Sequence, residues 1–425
     1  MNRAEVENVA LAAREFLHGL FDAALQAALP ERVVPAALGA APTGQVLVLG
    51  AGKASASMAR AVETAWPEAE LSGLVVTRYG HGVPCRRIEI VTAAHPLPDA
   101  AGQRAAARML ELAMRAGAGD TVLCLISGGA SALLSLPAAG VSFAEKQDLN
   151  AQLLKCGAPI NEMNAVRKRL SAIKGGRLAA AIAPAAARSL LISDVPGDDP
   201  AVIGSGPTVP DTDDAQKALD ILHRYAISVP DHVRSVMRSN NSIGQLLDNQ
   251  EVRVIAAPQQ SLEAAAAHAE SMGVAPLILG DAIQGEAREV GRAFAGIARQ
   301  IRQHGQPLPA PCVLLSGGET TVTVRGGGRG GRNSEFALGL ALALEGEQGV
   351  SAIACDTDGI DGSEDNAGAV VFADTLARAA KAGVHAWRML ERNDAYGVFE
   401  VIDDLVVTGP TLTNVNDFRA IYVSG

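Results

Sequence analysis

Anion chemistry is the first thing the residue types of this chain suggest. Residues 314–337, LLSGGETTVTVRGGGRGGRNSEFA, run from an apolar stretch into a glycine-rich loop carrying Arg325, Arg329 and Arg332, and then into a helical pattern. Guanidinium forks match carboxylate and phosphate geometry, and glycines let a backbone approach a ligand closely. Asn333 and Ser334 are capping types at a helix start, where free N–H groups favour an anion. The competing reading is a flexible hairpin tip with solvated arginines. A second cationic feature is Lys53 in VLVLGAGKASASM, just behind the turn residues Gly50 and Gly52 and at the start of a helical pattern. There the helix dipole and the ammonium would both attract phosphate.

Two loops echo one another: Ser127-Gly128-Gly129 closes LCLISGGASALL, and Ser316-Gly317-Gly318-Glu319 follows the apolar run of VLLSGGETTVTV. Each can offer backbone N–H groups to an oxyanion. In NEMNAVRKRLSAIKGG, helical spacing puts Arg167, Ser171 and Lys174 on one face, a cationic stripe that also suits a helix C-terminus. Asp194 in SDVPGDDP and Asp356 and Asp358 in DTDGIDGSED follow apolar strands, where a carboxylate could hold a magnesium–phosphate complex or orient a hydroxyl. Asp356, Asp358 and Asp361 lack the glycine and glutamate register of an EF-hand. His95 before Pro96 reads as structural.

Gly50-Ala51-Gly52 with Ser55 resembles a dinucleotide turn, but Thr77-Arg78 stands where an acidic residue should end the next strand. Nor is Gly52-Lys53 a P-loop, because Leu47 and Ala54 occupy the positions of its first glycine and its serine or threonine.

These residues need a frame to hold them. The 425 residues are enough for two domains, three at most. With 48% hydrophobic and 19% charged residues the composition is that of a soluble globular protein, and a net charge of −10 argues against a general nucleic-acid binder. Five cysteines without metal spacing read as reduced, and Glu5 and Glu7 stand where a signal peptide would be basic, so a cytoplasmic protein is expected, with no membrane partner. Apolar strands alternate with helical patterns from residue 46 onward, which predicts an α/β fold with a parallel sheet covered on both faces. The polar stretch SNNSIGQLLDNQ is the expected boundary, giving domains of residues 1–240 and 241–425.

Taken together, GAGKASASM, AAHPLPDAAG, LISGGASALL, NAVRKRLSAIKGGRLA, SDVPGDDPAVIGSGPT, SGGET, GGRNSEFAL, ACDTDGIDG and PTLTNVND resemble, in order and across nearly the whole chain, the glycerate kinases of the MOFRL-containing family. Members are often labelled hydroxypyruvate reductase. The resemblance implies an ATP- and Mg²⁺-dependent kinase that makes 2-phosphoglycerate from D-glycerate. It implies a Rossmann-like N-terminal domain and a smaller α/β C-terminal domain. The family's essential lysine falls on Lys53 and its essential arginine on Arg332, while Ser334 replaces the usual glutamine. Two other readings stay open: an NAD(P)H-dependent hydroxypyruvate reductase, with Arg78 taking a 2′-phosphate, and a non-catalytic sugar-acid binding protein. A monomer or homodimer is expected.

Overall fold

In the computed structural model, residues 3–245 and 248–425 are described. The chain divides into two compact units, Pro30–Ile255 and Ala256–Gly425 joined by the N-terminal segment up to Leu29.

The first unit is built on a six-stranded sheet of β1 (Gln45–Ala51), β2 (Glu70–Arg78), β3 (Glu89–Ala93), β4 (Thr121–Ile126), β5 (Ala186–Ile192) and β6 (Gln250–Ala256). Its order is β3-β2-β1-β4-β5-β6, and the pairings among the first five strands are parallel. Parallel strands are buried on both faces, and β4 (TVLCLI) is apolar after its first residue for that reason. Leu49, Val76, Cys124, Ile126 and Leu191 form the centre of one core. Asp99 starts the helix Ala100–Met114 by accepting from Gly102 N at 2.9 Å, and Ser142 with Glu145 forms a capping box on the helix Phe143–Lys155. This strand order is that of a doubly wound fold, with its reversal between β1 and β4.

The second unit carries a mixed sheet in the order β13-β12-β11-β14-β9-β7. Its strands are β7 (Ala275–Gly280), β9 (Cys312–Ser316), β11 (Val350–Asp356), β12 (Gly368–Val371), β13 (Leu405–Val406) and β14 (Asp417–Val423). β7 and β9 run parallel, and the other pairings are antiparallel. Two short strands, β8 (Gly285–Glu286) and β10 (Thr320–Thr321), pair beside it. Thr320–Val324, β-branched throughout in the sequence, yields only this two-residue strand.

The expected division at residue 240 differs from these units at two places. The boundary stretch, of which residues 246 and 247 lie outside the described residues, is followed by β6, whose Val252 and Val254 pack on the first core. At the other end, the helix Arg3–Gln26 belongs to the second unit. Its Leu17, Leu20 and Phe21 are buried in one cluster with Leu262 and Ala265 of the helix Pro258–Ser271 and with Ile353, Phe418 and Ala420 of the sheet.

Candidate functional site

In the first unit, the loops after β1 and β4 lie side by side at the strand reversal, where doubly wound sheets bind ligands. Gly52 adopts φ +136, and a Cβ there would lie 2.1 Å from Ser127 Oγ, so only glycine lets the two loops meet. Lys53 N donates to Gly128 O at 2.8 Å, and Ala54 N to Ser127 Oγ at 3.0 Å. Ser55, in the third-glycine position of the dinucleotide pattern, instead donates its hydroxyl to Leu125 O at 3.0 Å. The helix itself starts at Ser55, so Lys53 precedes it by two residues rather than opening it. Gly129 is left-handed (φ +82), and a Cβ on it would sit 3.1 Å from the His95 ring and 3.3 Å from Lys53 Cγ. Lys53 and His95 thus flank one glycine. His95, read as structural from its place before Pro96, is a neighbour of the site.

Asp194 follows β5 on the same sheet edge, two residues beyond the strand. Lys174 is fully buried, and its ammonium donates to Ser131 O at 2.6 Å and Ser131 Oγ at 3.2 Å. Gly50 closes β1 against Leu125, whose carbonyl would stand 2.6 Å from a Cβ. No acidic residue ends β2, which closes on Arg78.

The second unit corrects the expectation for the glycine-rich loop. What approaches its glycines is the chain itself: a Cβ on Gly326 would lie 2.3 Å from Arg392 O, and one on Gly328 2.4 Å from Asp394 Cβ. Asn393 Oδ1 accepts from Arg325 N at 2.7 Å and Gly326 N at 3.0 Å. Arg329 stacks on Tyr396 at 4.4 Å and pairs with Glu400 at 2.5 Å, so it fastens the loop rather than offering an open fork. The helix Arg332–Leu344 does begin where the glycines end, but its first N–H groups face an internal anion. Asn333 N and Ser334 N donate to the two oxygens of Asp361 at 2.9 and 2.7 Å. Asp361 is fully buried, and that burial raises its pKa against the stabilising bonds from Asn333 and Ser334. Ser334, itself buried, also donates its hydroxyl to Asp361 at 2.6 Å and accepts from Asn366 at 3.0 Å, so it is part of this network.

Arg332 stands among carboxylates. Its Nε donates to Asp417 Oδ1 at 2.7 Å, its Nη1 to Glu319 Oε1 at 2.8 Å and its Nη2 to Asp356 Oδ2 at 2.9 Å. Burial alone would lower its pKa; Asp417, Asp356 and Glu319 hold it well above the ordinary value. Two partners are buried (Asp417 0%, Asp356 6% exposed), while Glu319 is 47% exposed. The Nη1 edge is therefore the one where a ligand can replace a protein partner. Asn333 Nδ2 shares Asp417 Oδ1 at 2.8 Å, and the other oxygen of Asp417 pairs with fully buried Arg419.

The remaining acids are engaged locally. Asp356 Oδ1 accepts from Asp358 N at 3.0 Å, and Asp358 Oδ1 from Ile360 N at 2.9 Å. Among the described residues no three His, Cys, Asp or Glu side chains form a group able to hold a metal ion. The two serine–glycine–glycine loops also differ: Ser127 caps Ala54 N, whereas the Ser316 hydroxyl is buried without a hydrogen-bond partner. Gly317 and Gly318 close tightly on Asp417 and Ile283. Asp417 and Asn366 were not singled out from the sequence, and Asp361 was weighed only as part of a calcium loop; PTLTNVND and the acidic loop carried the signal, but not the pairing.

Residues 16–238 match the family described as "Domain of unknown function (DUF4147)", and residues 312–417 match the "MOFRL family". The "D-glycerate 2-kinase" of Thermotoga maritima is 40% identical over 394 residues, covering 92% of this chain and 94% of that protein. The chain belongs to the MOFRL-containing glycerate kinase family. The crystal structure of the glycerate kinase of Thermotoga maritima is similar, with a TM-score of 0.88 at 38% identity over 97% of this chain and 99% of the other. An Agrobacterium vitis relative, 52% identical over 97% of this chain and 95% of its own, carries hydroxypyruvate reductase as a provisional name. Both names occur within the glycerate kinase family, so chemistry must decide between them. No described helix is long and apolar enough to cross a membrane.

Proposed function

We propose that this chain transfers the γ-phosphoryl group of ATP to D-glycerate, giving 2-phosphoglycerate and ADP. The observation that carries the reading is the β1–β4 strand reversal, where Lys53 lies against Gly129 beside docked backbone loops. Relatives named as glycerate kinases supply the substrate.

Phosphoryl transfer has a loose transition state with charge spread over the equatorial oxygens, so cations and positioning matter more than a strong base. Lys53 would neutralise part of that charge, and backbone N–H groups of the Ser127–Gly129 loop would bind phosphate or the glycerate carboxylate. In the second unit, Arg332 can exchange Glu319 for an anionic oxygen of a substrate beside the Ser316–Gly318 loop; in the first, Gly50 and Gly52 shape the loop that carries Lys53. ATP would enter with Mg²⁺, which offsets phosphate charge when bound. Magnesium held by nucleotide phosphates and water needs only one or two protein carboxylates, and Asp194, two residues beyond β5, is one such donor. Asp194, on the sheet edge that carries the loops, is the residue we assign to that ion or to the substrate hydroxyl; Asp356 and Asp358 are committed to Arg332 and to their own turn.

The test is one assay in two halves: ADP release with ATP and D-glycerate, with phosphorus NMR of the product, and NAD(P)H oxidation with hydroxypyruvate. ADP and 2-phosphoglycerate are expected. Reductase turnover at an enzymatic rate of roughly 1 to 10³ per second, without ADP formation, would establish the other activity.

A further inference from the structure

Three buried or half-buried cations in the first unit have no acidic partner among the described residues. Lys146 and Asn150 lie one turn apart on the helix Phe143–Lys155 and face Arg167, Ser171 and Lys174, which follow one another along the helix Ile160–Arg169 and the turn beyond it. Lys146 Nζ donates to Leu136 O at 3.0 Å, the carbonyl that also accepts from Ser171 Oγ at 3.2 Å. Arg167 Nε meets Asn150 Oδ1 at 3.3 Å, and Lys174 Nζ meets Ser131 O and Oγ. From Ser131 a hydroxyl chain continues to Ser205 at 2.8 Å and Asn164 at 3.0 Å. Every protein partner of the three cations is a neutral oxygen, and none of the three is in an ion pair with a described residue. Lys146 and Lys174 are each 1% exposed, while Arg167 and Asn150 form a half-buried rim.

Uncompensated charge is costly to bury, and proteins answer by pairing it or by shifting its protonation. Here the shift is present. Burial, then Arg167, pushes the Lys146 ammonium down to about 7. Burial, then Lys146 and Arg167, drives Lys174 well below its ordinary value. An anion joining the three would hold both lysines in their charged forms and repay part of their burial.

We propose that Lys146, Arg167 and Lys174, with Ser131, form a binding site for a phosphate-type oxyanion, entered past Arg167 and Asn150. Surplus ammonium and guanidinium donors would meet the oxygens of a doubly charged tetrahedral group, which matches the number of cations better than a single carboxylate. The kinase reading bears only on the origin of the phosphate: nucleotide, phosphorylated product or the free ion.

The experiment is thermal melting of the full chain with rising inorganic phosphate, with ADP and with 2-phosphoglycerate, for the wild type and Lys146→Met. Without ligand the variant is expected to melt no lower than the wild type, since it loses a buried charge. With at least one of the three ligands it should lose at least tenfold in apparent affinity, and the ligand affected identifies the source. A variant that melts markedly lower without ligand would make Lys146 a structural prop for Leu136. A variant with unchanged responses to all three, or a wild type that responds to none, would overturn the site. Ligand-dependent melting that Lys146→Met removes, in a protein that makes no ADP from glycerate, would instead leave this site standing and remove the kinase reading.

Discussion

Lys53 and Arg332 are held by different physics, and their substitutions should separate accordingly. Lys53 is positioned by backbone: its own N–H is bonded to Gly128 and its stem lies on Gly129, so truncation removes an ammonium without breaking the loop. Lys53→Ala is expected to lose about 10² to 10³ in kcat, comparable to deleting one electrostatic stabiliser, with little change in Tm. An unchanged kcat in steady-state assay would remove it from the reaction. Arg332 is positioned by carboxylates, and two of these are buried. Arg332→Lys, which the helix-junction position alone would make harmless to stability, should therefore lower Tm as well as activity, because one ammonium cannot satisfy Asp356 and Asp417 together. The informative variant is Glu319→Gln. It weakens the hold on the exposed Nη1 edge and leaves the buried pairs intact, so KM for the substrate whose anion contacts Arg332 should fall a few-fold while Tm stays within about 1 °C. A rise in KM would mean that Glu319 itself contacts substrate, or holds Arg332 in its working position.

At the scale of elements, the two glycine turns were legible in the sequence and the glycine-rich loop was misleading. Strand, glycine and lysine in VLVLGAGKAS are contiguous, so local rules locate the turn, its glycines and the strand that feeds it. The loop at 325–331 has the same composition, but its partners Asn393, Asp394, Tyr396 and Glu400 lie some distance along the chain, and no period announces them. Asp361 was hidden in the same way: it looks like one more acid in DTDGIDGSED, yet it occupies the helix N-terminus that an external anion was expected to fill. Lys146 was not singled out from the sequence; only the fold brings Arg167 and Lys174 near it. The Asp361 cap makes a prediction of its own. Asp361→Ala leaves Asn333 N, Ser334 N and the Ser334 hydroxyl without their acceptor inside a buried network, a loss on the order of 3 kcal/mol or more from caps and buried donors together. Asp361→Asn keeps one acceptor oxygen and should recover part of it in urea unfolding. Equal losses would mean that charge, not hydrogen bonding, holds the helix start.

For the whole molecule, the N-terminal helix is the feature that composition and periodicity leave unassigned. Its apolar stripe reads as packing against something, and only the fold says that the partner is the sheet of the second unit, more than 300 residues away at Phe418. Leu17, Leu20 and Phe21 are almost wholly buried there, each contributing about 1.5–3 kcal/mol by removal from water. Charge adds a smaller amount: Arg14 pairs with buried Asp404 at 2.5 Å, but Arg378 reaches the other oxygen of that carboxylate at 2.5 Å. Losing Arg14 therefore leaves Asp404 with a partner, and Arg14 itself is 33% exposed and partly hydrated. Leu20→Ala should consequently cost about 2–5 kcal/mol and Arg14→Ala about 1 kcal/mol or less. Asp404→Ala should fall between them, since it strands two arginines that can both turn to solvent. Native-state hydrogen exchange gives the location as well as the size. In Leu20→Ala the amides of β11 and β14 should lose protection while those of β1 and β4 keep theirs, because Leu20 sits in a core of the second unit. Equal loss in both sheets would show that the two units unfold as one, and protection lost first in β1 and β4 would place the helix's stabilising role in the wrong unit.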